Sequence, residues 1–166
     1  MFKKGEYVIY GNAGVCQIID ISTLNMHGAP KDKLYYILEP VNQNSSRVFS
    51  PIDNKKVIIR KLMSKQDVET LISDIPNIKE LLVEDEKLRE QTYKDCIKSC
   101  QCRKLLSLMK TIYQRKEERL NQGKKLSATD EKYFKLAQDN LQTELSISLE
   151  IPVNEMERYI LDKINK

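Results

Sequence analysis

The spacing of apolar residues changes once along this chain, near positions 61–64, and that change limits the folds available to it. Before it, short runs of β-branched and aromatic residues alternate with turn residues, a pattern typical of antiparallel strands. After it, apolar residues recur every three or four positions, as on one face of an amphipathic helix. The sequence therefore predicts an α+β protein with a small bent antiparallel sheet or partial barrel at 1–62 and a helical bundle at 63–166.

The opening of the chain predicts a β-hairpin. Its strands are Tyr7 to Tyr10 and Val15 to Ile21, and the turn between them contains Gly11, Asn12 and Gly14, which tolerate the positive φ of a tight reversal. Further strands are predicted at 33–39, 47–49 and 56–60, with a polar reversal at 42–45. Five short strands in about 60 residues favour a small, strongly bent sheet.

Capping residues mark the starts of two predicted helices. Ser64 precedes a first helix that stops at 75–77, and Ser127 precedes a fourth. A second helix is predicted from Ile78 or Glu84 to Ser99, a third from Cys102 to Leu120, and a fifth after Pro152. We therefore expect a bundle of five helices after the sheet.

The composition, with 40% hydrophobic and 31% charged residues, predicts a soluble globular protein. Its apolar runs are shorter than the roughly 20 residues of a membrane span. The first residues lack the apolar core of a signal peptide, so we expect a cytoplasmic location. Cys16, Cys96, Cys100 and Cys102 lack the paired ligand motifs of a zinc site, so we expect them to be small buried side chains, with no metal or other cofactor.

Charge is distributed unevenly along the predicted helices. Positions 87–125 contain twelve basic residues against four acidic ones. Within the second predicted helix, spacings of 4, 3 and 4 place four polar residues in one stripe: Lys87, Gln91, Lys94 and Lys98. Such a stripe either contacts nucleic-acid phosphates or is simply the solvated face of the helix. The candidates to extend this surface are Arg103, Lys104, Lys124 and Lys125.

Two stretches of the first domain resemble the start of the CarD-CdnL-TRCF family: Lys3-x-Gly5-Glu6-x-Val8-Ile9-Tyr10 and Gly14-Val15-x-x-Ile18. Shorter stretches of the helical part resemble the same family: Tyr93-Lys94 and Leu126-Ser127-Ala128. The resemblance implies a stand-alone bacterial transcription regulator, not an enzyme, that modulates open-complex stability. It implies a Tudor-like domain that binds the RNA polymerase β subunit and a helical domain that contacts promoter DNA. It implies no cofactor, small-molecule substrate or membrane partner.

Arg89 departs from the family pattern. Many members have a tryptophan at this position that acts as a minor-groove wedge, and this chain contains no tryptophan. A guanidinium does not prop open a base step as an apolar plate does. Because arginine is attracted to narrow A·T-rich grooves, we expect Arg89 to make a groove contact of that kind.

For the polymerase contact, the physical candidate is an exposed sheet edge that pairs with a strand of the partner. Alignment with the family places five residues on this edge: Thr23, Leu24, Arg47, Val48 and Phe49. Family members often have basic residues near the first two positions, so we favour Arg47 and Phe49. The alternative for Phe49 is an ordinary core residue.

Two other functions are compatible with a chain of this kind. An enzyme has little sequence support, because there is no P-loop motif and the single histidine, His27, lies in a predicted loop. A protein-only adaptor, whose helical bundle binds another protein instead of DNA, is the stronger alternative. Steep salt dependence of DNA binding would favour the regulator over the adaptor.

Overall fold

The computed structural model describes residues 1–42 and 46–164, and its backbone contacts divide the chain into two compact units at 1–62 and 63–166. The first unit is built on a β-sheet and the second is helical, so the predicted α+β class is confirmed. Most of the polar reversal predicted at 42–45 lies outside the described residues.

In the described part of the first unit, five strands form one antiparallel sheet in the order β4-β3-β2-β1-β5. The strands are β1 (Tyr7–Tyr10), β2 (Gly14–Thr23), β3 (Leu34–Pro40), β4 (Val48–Pro51) and β5 (Ile59–Lys61). The sheet is open, with β4 at one edge and β5 at the other. Its core consists of Val8, Cys16, Ile18, Tyr36 and Leu38, which are at most 3% exposed.

A single turn of 3₁₀ helix at Gly11–Ala13 joins β1 to β2. Gly11 and Gly14 have φ values of +39° and +70°, as expected for glycines in a tight reversal. Gly11 also allows a close approach, because a Cβ there would lie 2.5 Å from Cγ1 of Val57. The hairpin prediction is therefore confirmed, with glycines at the positions that need them.

The last strand is shorter than predicted, because β5 begins at Ile59 and not at Lys56. The residues before it cross the hairpin turn, where the N–H of Gly11 donates to the carbonyl of Ile58 at 2.9 Å. Through this hydrogen bond and the contact of Val57 with Gly11, residues 57–58 cover the hairpin turn. Val57 and Ile58 therefore lie outside β5 despite their strand propensity.

The described part of the second unit contains α1 (Lys65–Asp74), α2 (Arg89–Lys98), α3 (Cys102–Asn121), α4 (Ala128–Leu149) and α5 (Val153–Ile164). Ser64 and Ser127 cap α1 and α4, since each hydroxyl accepts the backbone N–H three residues later at 3.1 Å. One core joins all five helices, and its fully buried members include Val68, Tyr93, Leu108, Ala137 and Met156.

The second helix begins later than either predicted start, because residues 78–85 are not helical. Side chains of α3 bind the backbone of this segment instead. The N–H of Leu81 donates to the Thr111 hydroxyl at 2.8 Å, and Nζ of Lys110 donates to the carbonyl of Ile78 at 2.6 Å. A turn of 3₁₀ helix at Glu86–Leu88 then leads into α2.

All four cysteines are buried and none forms a disulfide within the described residues. Burial raises the pKa of the Cys16 thiol to about 12. In the same part of the chain, no group of three or more His, Cys, Asp or Glu side chains is arranged to hold a metal ion. None of the helices described is both long and apolar enough to cross a membrane.

Candidate functional site

The edge strand β4 is hydrogen-bonded to β3 on one side and lies at the end of the strand order on the other. Val48 pairs with Leu38 and Phe49 pairs with Ile37. An edge strand directs unpaired backbone N–H and C=O groups outward, so β4 can accept a further strand from another chain.

The side chains of β4 alternate between the two faces of the sheet. Val48 packs against the sheet core, whereas Phe49 is 41% exposed on the opposite face. The alternative role of Phe49 as a core residue is therefore excluded. Arg47 is exposed and immediately precedes the strand, so it flanks Phe49 without taking part in the sheet.

Thr23 and Leu24 do not lie on this edge, which corrects the family-based placement. Thr23 ends β2, an interior strand, and pairs with Leu34. Neighbouring strands are about 4.8 Å apart, so β3 separates Thr23 from β4 by roughly 10 Å across the sheet. Thr23 also lies near the Pro51 end of β4, away from Val48.

In the helical unit, Lys94, Lys98 and Gln91 are exposed on α2 and lie within about 60° of its circumference. Lys87 precedes α2, in the 3₁₀ turn, so it extends the stripe only from outside the helix. Acidic residues border the stripe: Lys94 lies 3.9 Å from Glu90, and Gln91 donates to Asp95 at 2.9 Å.

The basic residues that follow α2 do not form one surface. Arg103 pairs with Asp74 at the end of α1, and this hydrogen bond is the main cause of a lowered Asp74 pKa. Lys104 lies on the side of α3 near Cys96, where it partly offsets the rise in thiol pKa caused by burial. Lys104 is therefore close to α2, whereas Arg103 is directed towards α1.

Lys125 is exposed in the loop between α3 and α4. Its carbonyl accepts a hydrogen bond from Nε of Arg119 at 2.7 Å, which fixes the backbone of the loop at the C-terminal end of α3. Lys104 is in the first turn of α3, so the length of the helix separates Lys125 from it.

Arg89 belongs to a closed polar network that joins the start of α2 to α3 and α4. Its guanidinium binds both carboxylate oxygens of Glu86, and NH1 lies 3.3 Å from the Tyr93 hydroxyl. That hydroxyl donates to Asp130 at 2.8 Å, and Asp130 accepts from Nε of Arg115 at 3.0 Å. Arg115 closes the network, because NH1 lies 3.6 Å from the Glu86 carboxylate.

The electrostatics of this network follow from its burial. Tyr93 is fully buried, and this burial is the main cause of its raised pKa. The hydrogen bond from Arg89 lowers the pKa of Glu86 and keeps it ionised. The side chain of Arg89 is only 16% exposed, so a groove contact by this residue would compete with Glu86.

This network connects two short segments of the helical part, 93–94 and 126–128. Tyr93 belongs to the first segment, and Ser127 of the second caps the helix turn that carries Asp130. Sequence reasoning missed Glu86 and Arg115. Glu86 lies three residues before Arg89, a spacing visible in the sequence, but the contact with Arg115 depends on helix packing.

An apolar groove on the helical unit was also not predicted. Two adjoining cavities of about 520 and 460 Å³ share Tyr113 of α3 and Phe134 of α4. The larger is lined mainly by apolar side chains that include Ile75, Ile78, Leu106, Met109 and Leu161. Tyr113 and Leu161 are more than half exposed, so this groove is open to solvent.

Comparison with known proteins identifies the first unit. Residues 2–63 match the CarD-like/TRCF RID domain, which covers the whole sheet and ends where the helical unit begins. No curated protein matches the chain. The matched domain is a Tudor-like, non-enzymatic domain that interacts with RNA polymerase. The similarity to the CarD-like/TRCF RID domain therefore covers the first unit, which is less than half of the chain.

Proposed function

We propose that this protein regulates bacterial transcription initiation by binding the RNA polymerase β subunit with its sheet and promoter DNA with its helical unit. The observation that carries the proposal is the family match over 2–63 together with an open β4 edge that bears an exposed aromatic residue. In this proposal the protein is a non-enzymatic cytoplasmic factor that alters open-complex stability.

The polymerase contact is formed by strand addition at β4. Backbone groups along the outer side of β4 provide affinity, and side chains provide specificity. Phe49 is the anchor, because a partner that covers an exposed aromatic side chain removes a large apolar area from contact with water. Arg47 lies at the rim, where it can pair with an acidic group of the partner.

The DNA contact uses the lysines on the α2 side of the helical unit. Lys94, Lys98 and Lys104 form the centre of the proposed surface, and Lys87 and Lys125 lie at its periphery. Arg103 contributes little, because Asp74 already neutralises it. Phosphate contacts of this kind need charge more than exact geometry, which suits flexible lysines.

The two contacts reinforce each other because they belong to one chain. When the sheet is bound to the polymerase, the helical unit experiences an effective DNA concentration in the millimolar range for a short linkage. Each contact can therefore be weak. The complex still holds promoter DNA, and no chemical step is required of the protein.

The polymerase contact is tested by replacing Phe49 with Ser in the full chain and measuring affinity for the isolated β subunit. We expect a loss of roughly tenfold or more, as for an interface anchor. Tyr7→Ser is the matched control, since Tyr7 is 39% exposed on an interior strand of the same sheet. Equal losses in the two variants, or no loss in the first, would contradict docking at β4.

The apolar groove at Tyr113 and Phe134 favours a second candidate, an adaptor whose helical unit binds an amphipathic partner helix. The two candidates differ in their response to salt. Binding of the full chain to duplex DNA should weaken steeply with salt, and Lys98→Ala should lower the slope by roughly one. Lys135→Ala, on α4, is the control. Absence of DNA binding at low salt would favour the adaptor.

A further inference from the structure

The Glu86 carboxylate lies between two guanidinium groups from different helices. Arg89 of α2 binds it through two parallel hydrogen bonds, one of them 2.8 Å long from Nε to Oε2. Arg115 of α3 approaches the other oxygen, with NH1 3.6 Å from Oε1. Two guanidinium groups around one anion are an arrangement that also binds phosphate.

The two arginines are fixed from the buried side of this cluster. The Tyr93 hydroxyl contacts NH1 of Arg89, and Nε of Arg115 donates to Asp130, which is 1% exposed. The arginine side chains are only 16% and 25% exposed, whereas that of Glu86 is 70% exposed. The cationic part of the cluster is therefore held in place, and its anion is the solvent-facing member.

The charges of the cluster balance only when an anion is present at the outer position. Two guanidinium groups face a single buried carboxylate, that of Asp130, so the inner part carries one net positive charge. Glu86 neutralises it. The other acidic groups nearby are engaged elsewhere: Asp85 accepts the N–H of Lys87, and Glu90 accepts the hydroxyl of Tyr133.

We infer that Arg89 and Arg115 form a binding site for one backbone phosphate of duplex DNA, which Glu86 occupies in the free protein and leaves on binding. This inference rests on the proposed function, because it assigns a specific phosphate contact to the DNA-binding unit. Glu86 is the exposed partner, at 70%, so its carboxylate can move into solvent, and the phosphate that replaces it restores the charge balance of the two arginines. The planar fork of arginine suits either anion.

The first test measures binding of the full chain to a short DNA duplex over a range of salt concentrations. We expect Glu86→Gln to raise affinity about two- to fivefold, because the duplex no longer has to displace the exposed Glu86 carboxylate. The salt slope should stay close to that of the native protein, because the two arginines contact the same phosphate in both proteins. Glu84→Gln removes the same charge from the exposed segment before the turn. Equal effects of the two substitutions would overturn the inference.

A second measurement reports on the arginines themselves. In NMR spectra of the full chain, the Nε–H signals of Arg89 and Arg115 should shift on addition of the duplex and, more weakly, of inorganic phosphate. If the duplex binds while both signals stay unchanged, the phosphate site is wrong and the proposed DNA binding stands. If no duplex binds either the native protein or Glu86→Gln, the DNA part of the proposed function fails as well.

Discussion

Replacing Tyr93 with Phe should destabilise the helical unit far more than the same change at Tyr133, although the two rings pack edge to face with centroids 5.6 Å apart. The Tyr93 hydroxyl donates to Asp130 at 2.8 Å and lies 3.3 Å from NH1 of Arg89. The Tyr133 hydroxyl donates at 3.3 Å to Glu90, whose side chain is 52% exposed. The two substitutions thus remove the same atom from different environments.

The magnitude follows from the burial of Asp130, which at 1% exposure has no bulk water to replace a lost donor. Losing a hydrogen bond to a buried charged group costs roughly 1.5–3 kcal/mol. Water can replace the Tyr133 hydroxyl at Glu90, so that change should cost less than about 1 kcal/mol. Since 1 kcal/mol shifts Tm by about 4–8 °C in a domain of this size, the Tyr93 variant should melt roughly 10 °C lower.

The assay is thermal unfolding of the full chain followed by far-ultraviolet circular dichroism, which reports mainly on helices. Both variants and the native protein are compared at neutral pH. Equal shifts for Tyr93→Phe and Tyr133→Phe, or an unchanged Tm for Tyr93→Phe, would refute the assignment of the Tyr93 hydroxyl as the link between α2 and the buried carboxylate.

Two further predictions concern the sheet. Gly11→Ala should lower the free energy of unfolding by about 1–3 kcal/mol, because the new Cβ would lie 2.5 Å from Val57 at a φ of +39°. Gly28→Ala is the control, because Gly28 also has a positive φ but nothing lies within 4 Å of a Cβ added there. Equal losses of unfolding free energy in urea titrations of the two variants would exclude the contact with Val57 as the cause. Burial raises the Cys16 pKa from 9.0 to about 12, so its contribution to stability is present below pH 9 and lost as pH rises towards 12. In urea titrations, Cys16→Ala should abolish this loss of unfolding free energy between pH 9 and 12. A loss that persists in full in the variant would show that the Cys16 thiol is not its cause.

The features that the sequence predicted well are those set by neighbouring residues. Ser64 and Ser127 cap helices as expected, because a cap is satisfied within one turn. The hairpin at 7–21 was predictable for the same reason, since its glycines and β-branched residues adjoin one another. In these places local chemistry and the final fold agree.

The features that were missed depend on contacts between distant parts of the chain. The sequence pattern at Leu81 and Leu82 suited a helix, but Thr111 and Lys110 bind the backbone of 78–85 in a non-helical form. The order of strands likewise could not be read from one sequence, so Thr23 was assigned to an edge that β4 occupies. The environment of Arg89 required knowledge of how three helices pack.

The bonds that hold residues 78–85 have a consequence for the order in which this chain acquires its structure. Leu81 and Ile78 find their partners 30 and 32 residues further along, on α3. Because synthesis proceeds from the N-terminus, this connector leaves the ribosome before the groups that shape it exist. Residues 78–85 cannot adopt this conformation until α3 has emerged and become helical. A chain interrupted before position 110 would therefore lack the side chains that fix the backbone of 78–85.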